Sequence, residues 1–139
     1  MFEIRHVCES DRSFWFSLDK HLSENEFAIK VRDKRGYIIG GGAAPVGVMR
    51  YNLFWDSIPF LTLIYIKEPC RGKGFGKQAV LLWENEMREL GYKMTMTSTQ
   101  VDEQAQHFYR KLGYKDRGSL FLDNTPFEQP QELIMVKTL

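Results

Sequence analysis

A chain of 139 residues, 43% hydrophobic and 27% charged, has the size and composition of one soluble globular domain. Its net charge of +1 gives no global electrostatic case for binding nucleic acid, and no apolar run approaches membrane-spanning length. The three histidines and two cysteines never cluster at metal-ligand spacing, so no metal is expected, and Cys8 and Cys70 read as reduced thiols of a cytoplasmic protein.

In chain order, MFEIRHVCESDR lacks the apolar stretch and cleavage site of a signal peptide. Phe2 to Val7 alternates and predicts a short strand. Ser10 then caps a helix with Phe14, Trp15, Leu18 and Leu22 on one stripe. A second helix opens at SENEF, where Ser23 and Glu26 have capping-box spacing. Phe27, Ala28 and Val31 form its apolar face, and Gly36 is expected to stop it. YIIGG and VGVMRYNLFW read as strands joined by a turn through GGAAP, and IPFLTLIYI as the buried central strand. CRGKGFGKQAVLLW follows, a glycine-rich loop running into a helix. That helix carries Ala79, Val80, Trp83, Met87 and Leu90 inward and closes at Gly91. KMTMTST is the next strand. DEQAQHFYRKLG is a short helix with Ala105, Phe108, Tyr109 and Leu112 on one face, Asp102 as its cap and Gly113 as its stop. YKDRGSLFLD and ELIMVKTL form a last strand pair across a loop with two prolines. The order β-α-α-β-β-β-α-β-α-β-β predicts an α/β (α+β) fold over residues 1–139, a single domain with a mixed sheet flanked by helices.

The loop was compared with known phosphate cradles. A P-loop needs G-x-x-x-x-G-K-S/T, but Arg71 stands first and Gln78 last, leaving no hydroxyl for magnesium. Gly74, Gly76 and Ala79 do match the dinucleotide fingerprint G-x-G-x-x-A. However, Lys67 to Arg71 separate the glycines from their strand, and KMTMTSTQ offers no acid for a ribose. Small residues immediately before a helix leave N–H groups at its positive end, and Arg71, Lys73 and Lys77 add charge around that anion site. A plain chain-turning loop with solvated lysines is the alternative.

Arg71-Gly72-Lys73-Gly74-Phe75-Gly76 fits Q/R-x-x-G-x-G/A and resembles the coenzyme A pyrophosphate loop of the GNAT acetyltransferase family. LTLIYIKEP precedes it as the family's long central strand does. Ala105, Tyr109, Gly113 and Tyr114 reproduce the family's A-x-x-x-Y-x-x-x-G-F/Y spacing. The resemblance covers nearly the whole chain in element order and implies a mostly antiparallel sheet. It implies acetyl-CoA as cosubstrate, no metal, and an amine acceptor that is a small molecule or peptide, with a homodimer as a possible assembly. Arg71, Gly72, Lys73, Gly74, Phe75, Gly76 and Lys77 would bind the pyrophosphate, mainly through backbone N–H groups. Ile64, Tyr65 and Ile66 would lend backbone groups to the pantetheine arm, one N–H polarising the thioester carbonyl. This requires the central strand to splay from KMTMTSTQ, and Pro69 is taken as the residue that ends the pairing.

The family spacing selects Tyr109 as general acid, since a phenol with a pKa near ~10 is protonated at neutral pH. Helical periodicity does not separate it from Phe108. Two positions depart from the family. Asp102 stands where Asn is common, either as a helix cap or as an acceptor for a pantetheine amide. Thr97 stands where some members carry a glutamate, so no general base is assigned. The expected function is N-acetyl transfer from acetyl-CoA to a primary amine by direct attack in a ternary complex. A non-catalytic acyl-CoA sensor or interaction module on the same fold is the alternative.

Overall fold

The computed structural model describes residues 2–40 and 44–139, so most of the turn expected through GGAAP lies outside the described residues. The strands are β1 (Glu3–His6), β2 (Gly36–Gly40), β3 (Pro45–Phe54), β4 (Ile58–Ile66), β5 (Met94–Gln100), β6 (Lys115–Leu120) and β7 (Glu132–Thr138). The helices are α1 (Arg12–Leu18), α2 (Glu24–Asp33), α3 (Phe75–Glu89) and α4 (Ala105–Lys111). The strands form one mixed sheet in the order β1-β2-β3-β4-β5-β7-β6, flanked by the four helices as expected. β4 runs parallel to β5, whereas the pairs β1–β2, β2–β3, β5–β7 and β6–β7 are antiparallel. No described helix is long and apolar enough to cross a membrane. The chain forms two compact units, Met1–Asn52 with Thr62–Glu86 and Leu53–Leu61 with Met87–Leu139.

In the first unit, strand alternation sends successive residue pairs of β2 and β3 to opposite faces. Ile38 and Val48 pair and meet Val7, Trp15 and Phe27 in a buried cluster, with Phe14, Phe16, Leu18, Leu22, Val31 and Leu63 around it. Each such side chain contributes roughly 1.5–3 kcal/mol by leaving water. On the other face, Tyr37 donates from its hydroxyl to Glu86 of α3, and Tyr51 packs on Trp83 at 5.6 Å. The second carboxylate oxygen of Glu86 lies 3.2 Å from His6 Nε2, which ties β1 to the same helix.

Element ends differ from the sequence expectation where polar side chains decide them. Ser10 does not cap α1. Glu9–Asp11 forms a 3-10 turn instead, and the Asp11 carboxylate accepts the Cys8 N–H at 2.9 Å and both Arg5 guanidinium donors at 2.8 Å. α1 stops at Leu18, so Leu22 reaches the core from beyond the helix. Asp19 holds that bend and is 1% exposed. It accepts from Trp15 Nε1 at 3.1 Å, Arg50 Nε at 2.8 Å, and the N–H groups of His21 and Leu22. Burial alone would raise its pKa, but Arg50, His21 and Trp15 outweigh it and hold the carboxyl below its ordinary value.

Ser23 caps α2 as expected, its hydroxyl accepting the Glu26 N–H at 3.1 Å. Gly36 does not end that helix. Lys34, in the left-handed region at φ 58°, ends it, and Gly36 opens β2. A Cβ on Gly36 would stand 2.9 Å from Val7 Cγ1 and 3.4 Å from both Lys30 Cβ and Trp15 Cη2. Glycine is needed there for space.

In the second unit, β5 pairs with β7 from Met94–Thr138 to Gln100–Glu132. The β3–β4 hairpin turns through Trp55 and Asp56, both at positive φ (54° and 58°), with the Ser57 N–H donating to Phe54 O at 3.1 Å. Positive φ at both central residues suits the strand twist, although Trp-Asp lacks the usual Asn-Gly signal. β4 is central in the sheet but not buried throughout, since Thr62 and Tyr65 are exposed. Along α3, Ala79, Val80, Trp83 and Met87 are buried as expected. Leu90 is 61% exposed, because α3 has ended at Glu89 and Gly91 turns the chain away.

Lys30 of α2 is only 1% exposed. Its ammonium donates to Tyr51 O at 3.1 Å and to Asn52 Oδ1. Burial pulls its pKa down to about 8, with Glu26 opposing. The unfolded chain therefore binds this proton more tightly than the native one. Stability should rise as pH climbs from about 8 toward the ordinary lysine range. Urea unfolding across that window should show the rise in the native protein, and Lys30→Met should flatten it.

Candidate functional site

The glycine-rich loop belongs to the first unit, and the turns that lead into it come from residues 67 to 71. The Lys67 N–H donates to Val46 O at 2.8 Å, anchoring the end of β4 on β3. A 3-10 turn at Glu68–Cys70 follows, closed by Cys70 N–H to Lys67 O at 2.8 Å. It brings Arg71 back over β4. Arg71 Nε donates to Ile66 O at 2.8 Å, and its guanidinium lies 5.0 Å above the Tyr65 ring.

Gly72 and Gly74 then adopt φ of 77° and 84°, a conformation that glycine takes without strain. Alternating left-handed glycines ahead of a helix make a concave run of N–H groups. Among the described residues no backbone acceptor faces the N–H groups from Gly72 to Lys77; the first helical bond runs from Gln78 N–H to Gly74 O. The N-terminus of the 15-residue α3 adds its positive end. Lys73 and Lys77 are exposed beside it. Phe75 is held from below by Phe2, with stacked rings 5.8 Å apart. The expected residues Ile64, Tyr65, Ile66 and Arg71 to Lys77 are thus brought together in one unit, and their arrangement suits a polyanion.

A residue that sequence reading missed lies under this segment. A Cβ at Gly47 of β3 would stand 2.5 Å from Tyr65 O and 3.2 Å from Ile66 Cα, so only glycine lets the two backbones approach there.

Tyr109 belongs to the second unit. α4 begins at Ala105 with Gln104 at its N-cap position, so Asp102 does not cap it. Asp102 lies in an exposed turn, which Gln106 braces by donating to Val101 O at 2.8 Å and Glu103 O at 2.9 Å. α4 ends at Lys111 and the chain turns at Gly113 (φ 100°), with Gly113 N–H bonded to Arg110 O and Tyr114 N–H to Tyr109 O, each at 3.0 Å. This termination sets the residue after the glycine against the residue at Tyr109. The Tyr109 and Tyr114 rings meet edge-on at 5.6 Å, and the hydroxyls of Tyr114 and Thr95 are 2.9 Å apart. Burial now separates the two aromatics that periodicity left open, since Tyr109 is 5% exposed and Phe108 is half-buried.

Thr97 Oγ1 donates to Leu61 O at 3.0 Å. Leu61 and Thr97 form the last pair of the β4–β5 ladder, which consists of Phe60–Met96 and Leu61–Thr97. The pairing therefore ends well before Pro69, and that proline does not end it. Burial pushes the Tyr109 phenol up to about 12, with the Thr97 side chain acting against it and Glu103 adding to it. The phenol stays protonated throughout the physiological range. Thr97 was visible in the sequence only as a missing glutamate; the available signal was Thr95, Thr97 and Thr99 at strand spacing, all buried. Among the described residues no group of His, Cys, Asp and Glu is placed to hold a metal ion.

A mixed sheet with a glycine nest after its central strand, and a buried tyrosine on the helix after the next strand, defines an acyl-CoA N-acetyltransferase fold. The sequence matches the model of the acetyltransferase (GNAT) family over residues 3–114, and the chain belongs to that family. Ard1 from Thermoplasma volcanium superposes with a TM-score of 0.85 at 14% identity, covering 99% of this chain and 97% of that one. The ribosomal-protein-S18-alanine N-acetyltransferase from Escherichia coli gives 0.82 at 15% identity, covering 99% and 94%. Arabidopsis thaliana Naa50, in complex with the bisubstrate analogue CoA-Ac-MVNAL, gives 0.81 at 13% identity, covering 99% of each chain. No curated protein gives a significant sequence match.

Gly47→Ala should drive the end of β4 away from β3, because the opposing atoms are backbone and cannot rotate aside. Overpacking of this kind costs about 1–3 kcal/mol. Urea unfolding should show a loss in that range.

Proposed function

We propose that the whole chain works as one N-acetyltransferase domain, moving acetyl from acetyl-CoA to a primary amine by direct attack in a ternary complex. The observation that carries this reading is the run of N–H groups from Gly72 to Lys77 at the start of α3 that meet no backbone acceptor among the described residues, in a chain of the GNAT family. Those groups, with Lys73 and Lys77, would take the pyrophosphate. Arg71 would keep the loop folded on β4. Backbone groups of Ile64, Tyr65 and Ile66 would take the pantetheine arm, one N–H polarising the carbonyl. Asp102, which caps no helix, would accept from a pantetheine amide.

In the step itself the amine nitrogen attacks the thioester carbon and the C–N bond forms. Collapse of the tetrahedral intermediate breaks the C–S bond, and the leaving sulfur takes the proton of Tyr109. The proton lost by the amine enters solvent, from which the phenolate is reprotonated, so amine and thioester become amide and thiol. A peptide N-terminus or a small-molecule amine is the acceptor class. The Escherichia coli neighbour is an alanine N-acetyltransferase, and the Arabidopsis neighbour holds a peptide-based analogue. Both cysteines are free, which suits a reducing cytoplasm.

Acetyl-CoA and CoA should each raise the melting temperature, whereas NAD and ATP at equal concentration should not. Ligand at a hundred times Kd stabilises by about 2.7 kcal/mol. A flat response to both CoA species would sink the assignment of the loop. Tyr109→Phe should lower kcat at least tenfold, about 1.4 kcal/mol in the barrier, with acetyl-CoA affinity kept. A loss below twofold would remove Tyr109 from the mechanism.

A further inference from the structure

We infer that Phe2 is a positioning residue for the donor, acting through Phe75 to hold the first turn of α3, and the N–H groups that lead into it, in the arrangement that takes the pyrophosphate. The inference rests on the reading of Gly72 to Lys77 as the coenzyme loop and adds to it a residue that lies outside the loop, ahead of β1.

The loop is held at its two ends and not between them. At its start Arg71 is fixed to Ile66 O and to the Tyr65 ring. In its middle a Cβ at Gly72 would meet nothing within 4 Å, and one at Gly74 only Gln78 Nε2 at 3.7 Å. Among the described residues no side chain therefore wedges the glycines in place, and glycine keeps the most backbone freedom of any residue. At its far end the loop depends on Phe75, whose ring stacks on that of Phe2 with centroids 5.8 Å apart and planes 15° apart.

The start of the chain is built to carry that contact. β1 is an edge strand bonded to β2. Phe2, Ile4 and His6 alternate onto one face of it. That face is the α3 side, since Ile4 pairs with Ile39, His6 pairs with Tyr37, and Tyr37 donates to Glu86 of α3. His6 reaches the same carboxylate, with Nε2 3.2 Å from Oε1, and its ring lies 5.1 Å from that of Tyr37. Phe75 and Glu86 are about 16 Å apart along the helix. Phe2 and His6 are about 13 Å apart along the extended segment. The segment thus runs beside α3 and meets it twice, at Phe75 and at Glu86. The contact at Glu86 fixes the body of the helix, whereas the contact at Phe75 fixes the turn that faces the anion.

Without the Phe2 ring the loop would spend only part of its time in the binding arrangement. The apparent Kd for the donor then rises as the inverse of that fraction. The test titrates the full chain with CoA by calorimetry, well below the melting temperature. Phe2→Ala should raise the Kd about three- to tenfold. Phe2→Leu keeps apolar bulk and loses the flat stack; it should raise the Kd at least twofold and serves if the alanine variant does not fold. Phe2→Tyr keeps the ring and should stay within twofold of the native value. The double variant with Phe75→Ala should bind no more weakly than Phe75→Ala alone, because Phe2 has nothing left to act through. A merely structural phenylalanine would lower the melting temperature of the free protein and leave the Kd of the folded protein unchanged. Native Kd values in Phe2→Ala and Phe2→Leu would therefore overturn the inference, whatever the melting temperatures. So would a double variant that loses the product of the two single factors. No binding of CoA by the native protein would instead overturn the reading of the loop, and the inference with it.

Discussion

The short parallel ladder between β4 and β5 is the constraint on which the rest depends. Phe60–Met96 and Leu61–Thr97 make it up, after which β4 continues to Ile66 without β5. β5 meanwhile spends its other edge on β7 along its full length, which keeps the strand carrying Thr97 rigid. The point where pairing ceases is also where the Thr97 hydroxyl donates to the Leu61 carbonyl.

The loop that follows β4 is organised before any anion arrives. Arg71 is engaged with the Tyr65 ring and Ile66 O, Phe75 rests on Phe2, and Lys67 is tied to Val46. Most of the ordering entropy of the loop is therefore lost on folding rather than on binding, which is the general benefit of preorganisation. Buried charge does comparable work elsewhere in that unit. Asp19 with Arg50 fixes the bend after α1, and Lys30 fixes α2 to the end of β3. Removing either partner of such a pair leaves an uncompensated buried charge, which costs far more than the intact pair contributes.

The fold was legible because its helices and strands are amphipathic. The apolar stripe of α3 places Ala79, Val80, Trp83 and Met87 correctly from periodicity alone. The errors fall at ends, where several polar residues compete. Ser10 has the type of a cap, yet Asp11 takes the N-cap position of α1 with its carboxylate turned to Arg5 and the Cys8 N–H. Gly36 looks like a stop, but Lys34 takes the left-handed turn and Gly36 is needed two residues later for room beside Val7. Asp102 has the composition of a cap, yet the bracing by Gln106 starts the helix later. The donor loop was legible since glycine spacing is a local signal. The end of the β4–β5 ladder was not, because nothing in IPFLTLIYI marks Leu61 as that place.

The way α4 ends has a consequence for how activity is diagnosed in chains of this kind. Tyr109 and Tyr114 are paired by the glycine termination itself, which bonds the Tyr114 N–H to Tyr109 O and sets ring against ring. Most of the A-x-x-x-Y-x-x-x-G-F/Y pattern is therefore accounted for by a well-closed helix, with no reference to substrate. A descendant that lost the chemistry would keep an aromatic, a glycine and a second aromatic at these intervals simply to remain folded. The atom that this termination does not demand is the phenolic oxygen of Tyr109, the group proposed above as the acid.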